Sequence, residues 1–417
     1  MDRLLIKGGK KLKGEARIKA AKNAVLPILA ATMLTDEVCE IEDVPRILDI
    51  ANMLKILRAL GADVDFNGEC IRVDPSEASG YSVPADLAKE LRSSFFLLGP
   101  ILGRMRRAVV SYPGGCDIGV RPLDLHLKGL REMGIAIEES HGMIYCDATR
   151  LHGADVVLDF PSVGATENLM MAAALAKGRT RIFNAAKEPE IVDLQNFINA
   201  MGGKIFGAGS GKIEIEGVSE LHGCRYAPVP DRIVAGTLLI ATAACGGSIL
   251  LRNAVAEHLE PLLFKLNKSS CQIEVRGDKI SLSNDRRPHS LDRLETQPYP
   301  GFPTDLQSQM MVLMSVAEGT GVIVENIFET RFRIVRELTK MGATITVKDR
   351  AAVIRGVPSL QGAAVSAGDL RGGAALVIAG MKADGYTTID NLRHIDRGYE
   401  RIEEMFSALG AEVKRIE

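Results

Sequence analysis

The residue whose surroundings best suit chemistry is Cys116, in the run of residues 112–122 that reads YPGGCDIGVRP. Three glycines and two prolines in that run exclude a helix or a central strand, so a loop between elements is predicted. A thiol beside glycines and close to Arg121 can be reactive, because a nearby cation favours the thiolate. The alternative is an exposed loop in which the cysteine has no chemical role.

A second candidate is Asp305, at the end of the run 296–305, TQPYPGFPTD. Its three prolines make the run stiff, and Asp305 stands where the next helix is predicted to begin. Aspartate at such a point is commonly a helix N-cap. The functional alternative is a general base that the stiff loop holds in place.

Isolated basic residues recur at predicted helix starts and turns: Lys22, Arg92, Arg331, Arg371 and Arg397. An arginine beside glycines suits a phosphate or a carboxylate, because the guanidinium and helix N-terminal amides can bind the same anion. Each one taken alone is more often a solvated surface charge. Their recurrence at similar points of several segments favours convergence on one anionic ligand.

Ser162, Val163 and Gly164 open a further predicted helix. A serine here is either a plain helix cap or part of a set of backbone amides that binds a diphosphate. Both interpretations stay open on the local pattern.

The composition limits the classes of partner and location. Of 417 residues, 51 are Lys or Arg and 53 are Asp or Glu, so no broad basic field favours nucleic acid. No apolar stretch reaches the roughly 20 residues of a membrane span, and the N-terminus turns polar too soon for a signal peptide, so a cytoplasmic protein is expected. Seven scattered cysteines without a CxxC pair argue against a disulfide framework and a structural zinc.

The helices and strands that should position these residues follow an internal repeat in the sequence. A small residue, Leu or Met, and then Gly closes an amphipathic helix about every 70 residues. The glycines are Gly61, Gly134, Gly202, Gly342 and Gly410. A gap of double length contains a degenerate copy at 267–270, NKSS, which a strand at 271–275 follows. Each glycine suits the left-handed C-cap of a helix.

Each repeat reads as an apolar helix, a turn, a short strand, an amphipathic helix and a strand pair. The apolar helices are predicted at 23–33, 167–176, 306–317 and 373–383, and they are apolar almost all round, which indicates burial. Strands are predicted at 322–325 and 387–389, and an amphipathic helix at 47–60. No GxGxxG follows a strand, which argues against a dinucleotide-binding sheet.

Six units of this kind predict an α/β (α+β) protein of two pseudo-symmetric domains with internal helices. Three repeats per domain place a boundary in the proline-rich segment near residue 230.

Together these strings resemble the enolpyruvyl transferase family along essentially the whole chain. They are residues 22–24 (KNA), 113–116 (PGGC), 119–126 (GVRPLDLH), 162–166 (SVGAT), 230–233 (PDRI), 298–305 (PYPGFPTD), 369–371 (DLR) and 396–400 (DRGYE). The cysteine loop and the PGFPTD string are similar to the branch that acts on a nucleotide sugar, and the shikimate-pathway branch lacks both. The resemblance implies a two-domain inverse αβ barrel of six βαβαββ units with internal parallel helices and the active site between the domains. The domains it implies are residues 1–21 with 230–417, and residues 22–229, which carry the cysteine loop.

The resemblance also implies the reaction. The enolpyruvyl group of phosphoenolpyruvate moves to the 3-hydroxyl of UDP-N-acetylglucosamine with release of phosphate, as the first committed step of peptidoglycan precursor synthesis. Cys116 is expected to donate the proton to the methylene carbon, and Asp305 to take the proton of the sugar hydroxyl. The family is the target of fosfomycin, which alkylates this cysteine. Neither a metal nor a cofactor is implied, and a monomer is expected.

Carried over residue by residue, the resemblance assigns the remaining contacts. Lys22 and Arg397 are expected to grip phosphoenolpyruvate, with Arg121 and Arg371 nearby. The diphosphate is expected at Ser162, Val163 and Gly164. The other residues expected to bind the nucleotide sugar are Asn23, Arg92, Arg121, Pro122, Leu123, Asp124, Leu125, Asp305, Ile327, Arg331 and Asp369, with residues 121–125 against the uracil and Ile327 acting through its backbone.

The sequence departs from the family pattern at a few positions. Val234 replaces a typical acid, Thr330 a typical asparagine, and Phe160 a lysine that some members carry. Val234 and Thr330 support one alternative, a weak or inactive paralogue that binds the nucleotide sugar, and retention of Cys116, Asp305, Lys22 and Arg397 weighs against it. The other alternative is enolpyruvyl transfer to shikimate 3-phosphate, and Cys116 and the string of residues 121–126 argue against it.

Overall fold

The computed structural model of the chain describes residues 2–112 and 123–417. These divide into two compact units. We call residues 2–19 and 230–417 the terminal unit, and residues 20–112 and 123–229 the central unit. Each unit has its own continuous core of buried aliphatic side chains.

The strands of the described residues are short and are numbered along the chain. They are β1 Arg3–Lys7, β2 Leu12–Arg17, β3 Cys39–Ile41, β4 Asp63–Phe66, β5 Ile71–Asp74, β6 Arg107–Ser111, β7 Ala136–Ser140, β8 Met143–Asp147, β9 Asp155–Val157, β10 Arg179–Phe183, β11 Lys204–Phe206, β12 Lys212–Glu216, β13 Arg225–Tyr226, β14 Gly247–Arg252, β15 Gln272–Arg276, β16 Lys279–Asn284, β17 Arg293–Glu295, β18 Thr320–Val324, β19 Thr344–Lys348, β20 Ala351–Arg355, β21 Ala364–Ser366, β22 Tyr386–Asp390 and β23 Glu412–Ile416.

The α-helices of the same residues are α1 Lys22–Ala31, α2 Leu48–Ala59, α3 Ala85–Glu90, α4 Leu98–Met105, α5 Asp124–Glu132, α6 Val163–Ala174, α7 Pro189–Ala200, α8 Arg232–Cys245, α9 Glu260–Lys268, α10 Gln307–Val316, α11 Val335–Lys340, α12 Leu370–Lys382, α13 Arg393–Asp396 and α14 Ile402–Ala408. Short 3-10 helices add Thr32–Leu34, Arg92–Leu97, Ala256–Leu259, Thr304–Leu306 and Arg331–Ile334. Within this part of the chain, no helix is long and apolar enough to cross a membrane.

Each unit contains three sheets made from the described residues. In the central unit the strand orders are β13-β3-β5-β4, β6-β8-β7 and β11-β12-β10-β9. In the terminal unit they are β15-β16-β14-β2, β17-β18-β20-β19 and β21-β22-β1-β23. The full four-stranded sheets share one pattern, a parallel pair at one edge followed by two antiparallel pairings. This repetition confirms the predicted repeated α/β architecture.

The apolar helices are buried, as their composition predicts. All ten residues of α10 and all but the last residue of α12 are buried, and α8, α10 and α12 pack on one another. Helix α6 begins at Val163, four residues earlier than the predicted 167–176, because the Ser162 side chain caps it. Helix α12 likewise begins earlier, after the capping carboxylate of Asp369.

The repeat glycines end their helices as predicted. All five have positive φ, between 82° and 97°, which is the conformation that glycine adopts without strain. In the degenerate copy Ser270 occupies the same place after α9 and has a φ of 75°. The geometry of the repeat is therefore kept where its glycine is lost.

Candidate active site

Asp305 lies in a 3-10 turn, Thr304–Leu306, directly before α10. Its carboxylate receives Nη2 of Arg331 at 2.5 Å and Nη2 of Arg371 at 3.0 Å. Leu306, not Asp305, is the residue that precedes α10, so the helix-cap alternative for Asp305 is wrong. The side chain of Asp305 is a quarter exposed while both arginines are almost fully buried. A carboxylate held between two guanidinium groups is fixed in orientation and stays open to solvent on its remaining side.

Arg371 is placed by helix α12. Asp369 caps this helix by accepting the backbone N–H of Arg371 at 2.9 Å and that of Gly372 at 3.0 Å, and it also faces Nη1 of Arg331 at 3.5 Å. Burial alone lowers the pKa of Arg371, but the charges of Asp305, Tyr399 and Asp231 and the hydrogen bond to Asp305 together outweigh it, so the pKa is raised. Arg331, Arg371, Asp369 and Asp305 therefore form one buried charge network, and all four belong to the predicted set.

Glu325 holds this network in place, and sequence analysis did not identify it. It is 1% exposed and follows strand β18. Its Oε1 accepts from the hydroxyl of Thr296 and from the backbone N–H groups of Ile327 and Phe328, at 2.8–3.0 Å. Its Oε2 accepts from the Thr304 hydroxyl at 2.9 Å. The available signal was an acidic residue directly after an apolar strand.

Thr304 carries the effect of Glu325 to Asp305. Its hydroxyl donates to Glu325 and accepts from Nε of Arg331 at 3.3 Å. Arg331 in turn donates to Asp305. Glu325 also turns the backbone at Ile327, the residue that the resemblance assigns to the sugar.

A buried tyrosine completes this side of the terminal unit. Arg371 lies over the ring of Tyr399, 5.8 Å from its centroid, and the Tyr399 hydroxyl is 2.8 Å from that of Thr237. Burial raises the pKa of Tyr399, and the charge of Arg371 partly opposes this rise. Arg397 is half-buried and follows α13, which packs on α12, the helix of Arg371.

In the central unit Lys22 begins helix α1 and pairs with Asp49. The Nζ–Oδ2 distance is 3.0 Å, and the two side chains are 12% and 2% exposed. Asn23 is half-buried beside it. Sequence analysis named Lys22 but not Asp49, because an aspartate in the first turn of α2 reads as an ordinary helix charge.

A second group of predicted residues in the central unit lies where α5, α6 and the 3-10 helix Arg92–Leu97 pack together. Helix α6 packs on α5 and on the 3-10 helix that begins at Arg92. A Cβ at Gly164 would stand 3.1 Å from the ring of His126, so glycine permits this close approach. Burial, with the charge of Arg92 as the second cause, lowers the pKa of His126 to about 3. Asn168 fixes the neutral ring with an Nδ2–Nδ1 distance of 3.0 Å.

The remaining predicted residues surround these helix starts. Ser162 caps α6 by accepting from the amide of Ala165 at 3.3 Å, which confirms the plain-cap reading of its side chain. Val163, Leu123 and Leu125 are half-buried against the core, and Asp124 is exposed. Cys116, Arg121 and Pro122 lie outside the described residues, so their predicted roles stay predictions.

Comparison with known proteins agrees with this architecture. The family model for EPSP synthase (3-phosphoshikimate 1-carboxyvinyltransferase) matches residues 6–406. UDP-N-acetylglucosamine 1-carboxyvinyltransferase 2 of Caldanaerobacter subterraneus subsp. tengcongensis is 50% identical over 416 residues, all of both chains. UDP-N-acetylglucosamine 1-carboxyvinyltransferase of Pseudoalteromonas atlantica is also 50% identical, over 418 residues and the whole of both chains.

Solved structures give the same fold. The enolpyruvyl transferase NikO from Streptomyces tendae superimposes with a TM-score of 0.90 at 24% identity, covering 99% of this chain and 98% of its own. EPSP synthase from Acinetobacter baumannii superimposes with a TM-score of 0.76 at 17% identity over the whole of both chains. These structures confirm the predicted inverse αβ barrel fold, and the full-length matches show that the chain belongs to the EPSP synthase family of enolpyruvyl transferases.

Proposed function

We propose that the chain is a UDP-N-acetylglucosamine 1-carboxyvinyltransferase, which moves the enolpyruvyl group of phosphoenolpyruvate to the sugar 3-hydroxyl and releases phosphate. The observation that carries the proposal is 50% identity, over whole chains, to relatives that bear this name. The reaction supplies a peptidoglycan precursor, and we place it in the cytoplasm. UDP-N-acetylglucosamine and phosphoenolpyruvate are the proposed partners.

The addition step needs a base at the sugar hydroxyl, and we assign it to Asp305. Two buried guanidinium groups hold this carboxylate, which favours its ionised form and fixes its direction. As Asp305 takes the proton, the sugar oxygen bonds to the central carbon of phosphoenolpyruvate. As this bond forms, the electron pair of the double bond takes the proton of Cys116, so the methylene carbon becomes a methyl group and a tetrahedral ketal results. In the collapse of the ketal a base takes one methyl proton, and the electrons of that C–H bond form the new double bond as phosphate leaves, which gives the enol ether product.

The substrates carry several negative charges, and the basic residues provide the means to bind them. We assign Lys22 and Arg397 to phosphoenolpyruvate, with Arg121 and Arg371 nearby. The half-buried N-terminal turn of α6 suits the diphosphate, because the first amides of a helix have no carbonyl partner within the helix. Asn23, Arg92 and residues 121–125 are assigned to the rest of the nucleotide sugar, together with Ile327, Arg331 and Asp369.

The decisive experiment measures phosphate release from phosphoenolpyruvate with UDP-N-acetylglucosamine or with shikimate 3-phosphate, each with and without fosfomycin. Release with the nucleotide sugar only, abolished by fosfomycin, is the expected result. Asp305→Asn should lower kcat by about 10² to 10⁴ while the protein stays folded, because general-base catalysis contributes on that order. Release with shikimate 3-phosphate alone would contradict the proposal.

A second candidate is a paralogue that binds the nucleotide sugar without turnover. The observation in its favour is Val234, which packs against the core in the first turn of α8 where the family typically has an acid. Calorimetric binding of UDP-N-acetylglucosamine by a folded wild-type protein that releases no phosphate would establish this candidate instead.

A further inference from the structure

Two cysteines that are far apart in sequence are neighbours on adjacent strands of the central unit. Strand β13 pairs in parallel with β3, with Arg225 opposite Glu40. One residue earlier, the same register places Cys224 opposite Cys39, and the N–H of Glu40 donates to the carbonyl of Cys224 at 2.9 Å. Neighbouring strands are about 4.8 Å apart, within the Cα separation that a disulfide spans. Both thiols are free.

Cys39 and Cys224 face each other across this strand pair, and their surroundings differ. Cys39 is fully buried, while Cys224 is half-buried and follows the exposed His222. The neighbouring Cys39 thiol lowers the pKa of the Cys224 thiol, and the charge of His222 adds to this effect, while burial opposes it. The neighbouring Cys224 thiol, and then burial, raise the pKa of Cys39. Cys224 is therefore the sulfur that a reagent in solvent reaches first.

Cys70 offers a matched comparison within the same sheet. It directly precedes β5, which pairs with β3, and it is half-buried like Cys224. Burial and the charges of Glu40 and Glu42 raise the pKa of its thiol. Cys70 thus has similar access to solvent and the opposite electrostatic environment.

We propose that Cys224 and Cys39 form an oxidation site that reacts with a hydroperoxide, with Cys224 as the attacking sulfur and Cys39 as the resolving one. In the first step the Cys224 thiolate attacks hydrogen peroxide. The S–O bond forms as the O–O bond breaks, which gives a sulfenic acid and, after proton uptake, water. In the second step the Cys39 sulfur attacks the sulfenic sulfur. The S–S bond forms as the S–O bond breaks, and the Cys39 proton leaves with the hydroxyl group as water.

Overall, two thiols lose two electrons to one peroxide, which becomes two waters. The order of the steps follows from access to solvent, because the peroxide can reach the half-buried Cys224 but not the fully buried Cys39. A half-buried thiol with a lowered pKa and a second thiol opposite it is the arrangement of redox-sensitive cysteine pairs. The proposal rests on these residues alone and not on the proposed transferase activity.

The test treats the full chain with hydrogen peroxide, blocks free thiols by alkylation, and maps every cysteine peptide by mass spectrometry. We expect a linked peptide that contains Cys39 and Cys224, formed about tenfold faster than any oxidation of Cys70, and lost after dithiothreitol. Cys39→Ala should leave a sulfenic acid at Cys224 that dimedone traps. Cys70→Ser, the matched control, should form the linked peptide at the wild-type rate. Oxidation of Cys116 is measured separately, on the peptide that contains it.

The absence of the linked peptide from folded wild-type protein would overturn the proposal without any variant. Oxidation of Cys70 as fast as that of Cys224 would overturn the order of reaction. A thermal unfolding curve for each variant separates a lost reaction partner from a lost fold. The Cys39→Ala result is replaced by that of Cys39→Ser if the first variant unfolds.

Discussion

Glu325 in the terminal unit and Glu167 in the central unit are equally buried glutamates with opposite surroundings. Glu325 accepts hydrogen bonds from two hydroxyl groups and two backbone N–H groups. Glu167 lies in the middle of α6, and neither of its oxygens has a hydrogen-bond partner among the described residues. Burial, and then the charges of Glu190 and Glu188, raise its pKa well above the ordinary value.

This difference shows what burial of a carboxyl group can serve. An ionised carboxylate is expensive to bury unless donors replace the lost water, and Glu325 has four of them. These donors hold Glu325 in one position, from which it orients the loop of Asp305. Glu167 lacks donors, so it is held as a neutral, protonated side chain in the core. The same substitution at the two sites should therefore have opposite effects.

The largest expected effect is that of Glu325→Gln. In the wild-type protein the Thr304 hydroxyl donates to Oε2 of Glu325. In the variant an amide NH2 group would take the place of this oxygen, so two buried donors would face each other. We expect the free energy of unfolding to fall by about 2–3 kcal/mol, since a buried unsatisfied group costs on that order. Urea unfolding at neutral pH measures it. Glu167→Gln is the matched control, and an equal loss in both variants would remove the distinction.

Glu167→Gln should stabilise the protein in a pH-dependent way. The folded pKa of Glu167 is raised, so its contribution is fully present below the unfolded pKa and is lost as pH rises towards the folded value. We expect the variant to match wild type near pH 4.5 and to gain about 1–2 kcal/mol by pH 8. Asp193, whose pKa is raised to about 6, mainly by burial, is present in both proteins and cancels in the difference. A constant difference across this pH range would show that Glu167 is ionised in the fold.

The link from Glu325 to Asp305 is tested by Thr304→Val against Thr304→Ser. Valine keeps the shape but removes the hydroxyl that joins Glu325 to Arg331, while serine retains it. We expect Thr304→Val to lower kcat about tenfold, the cost of losing one hydrogen bond of about 1.4 kcal/mol in the transition state. Steady-state phosphate release gives kcat and KM separately. Equal kcat in the two variants would mean that Asp305 is oriented without Thr304.

The smallest expected effect is that of Ser162→Ala, at the start of the helix that contains Glu167. Loss of the N-cap hydrogen bond should reduce the free energy of unfolding by about 1 kcal/mol. This loss should be the same at pH 4.5 and pH 8, unlike the effect of Glu167→Gln. Ser162→Thr retains a cap and should stay close to wild type. A pH-dependent loss would indicate that the cap and Glu167 are coupled.

Residue type and spacing within a single repeat predicted much of the fold, because the helices and their ends depend on residues close together in sequence. The glycine C-caps and the buried apolar helices followed from residue type and spacing, and only their ends differed by a few residues. The partners of the site residues could not be predicted in this way. Asp49 bonds to Lys22, and Glu325 bonds to Thr296 and Thr304. In each pair the partners are separated by 21–29 positions in sequence, and the residues between them form other elements. Cys39 and Cys224 meet only because β13 returns to the sheet of β3.

The pairing of β1 and β2 bears on the order in which a ribosome-bound chain can acquire structure. All described strands of the central unit lie between Cys39 and Tyr226, so that unit has its sheet partners early in synthesis. Strand β2 must wait for β14, and β1 must wait for β22 and β23, which are made last. Strand β1, the first of the described strands to be made, is thus among the last of them to be paired. During that interval its unpaired edge is a place where a nascent chain can associate wrongly, and shielding it is a task for chaperones.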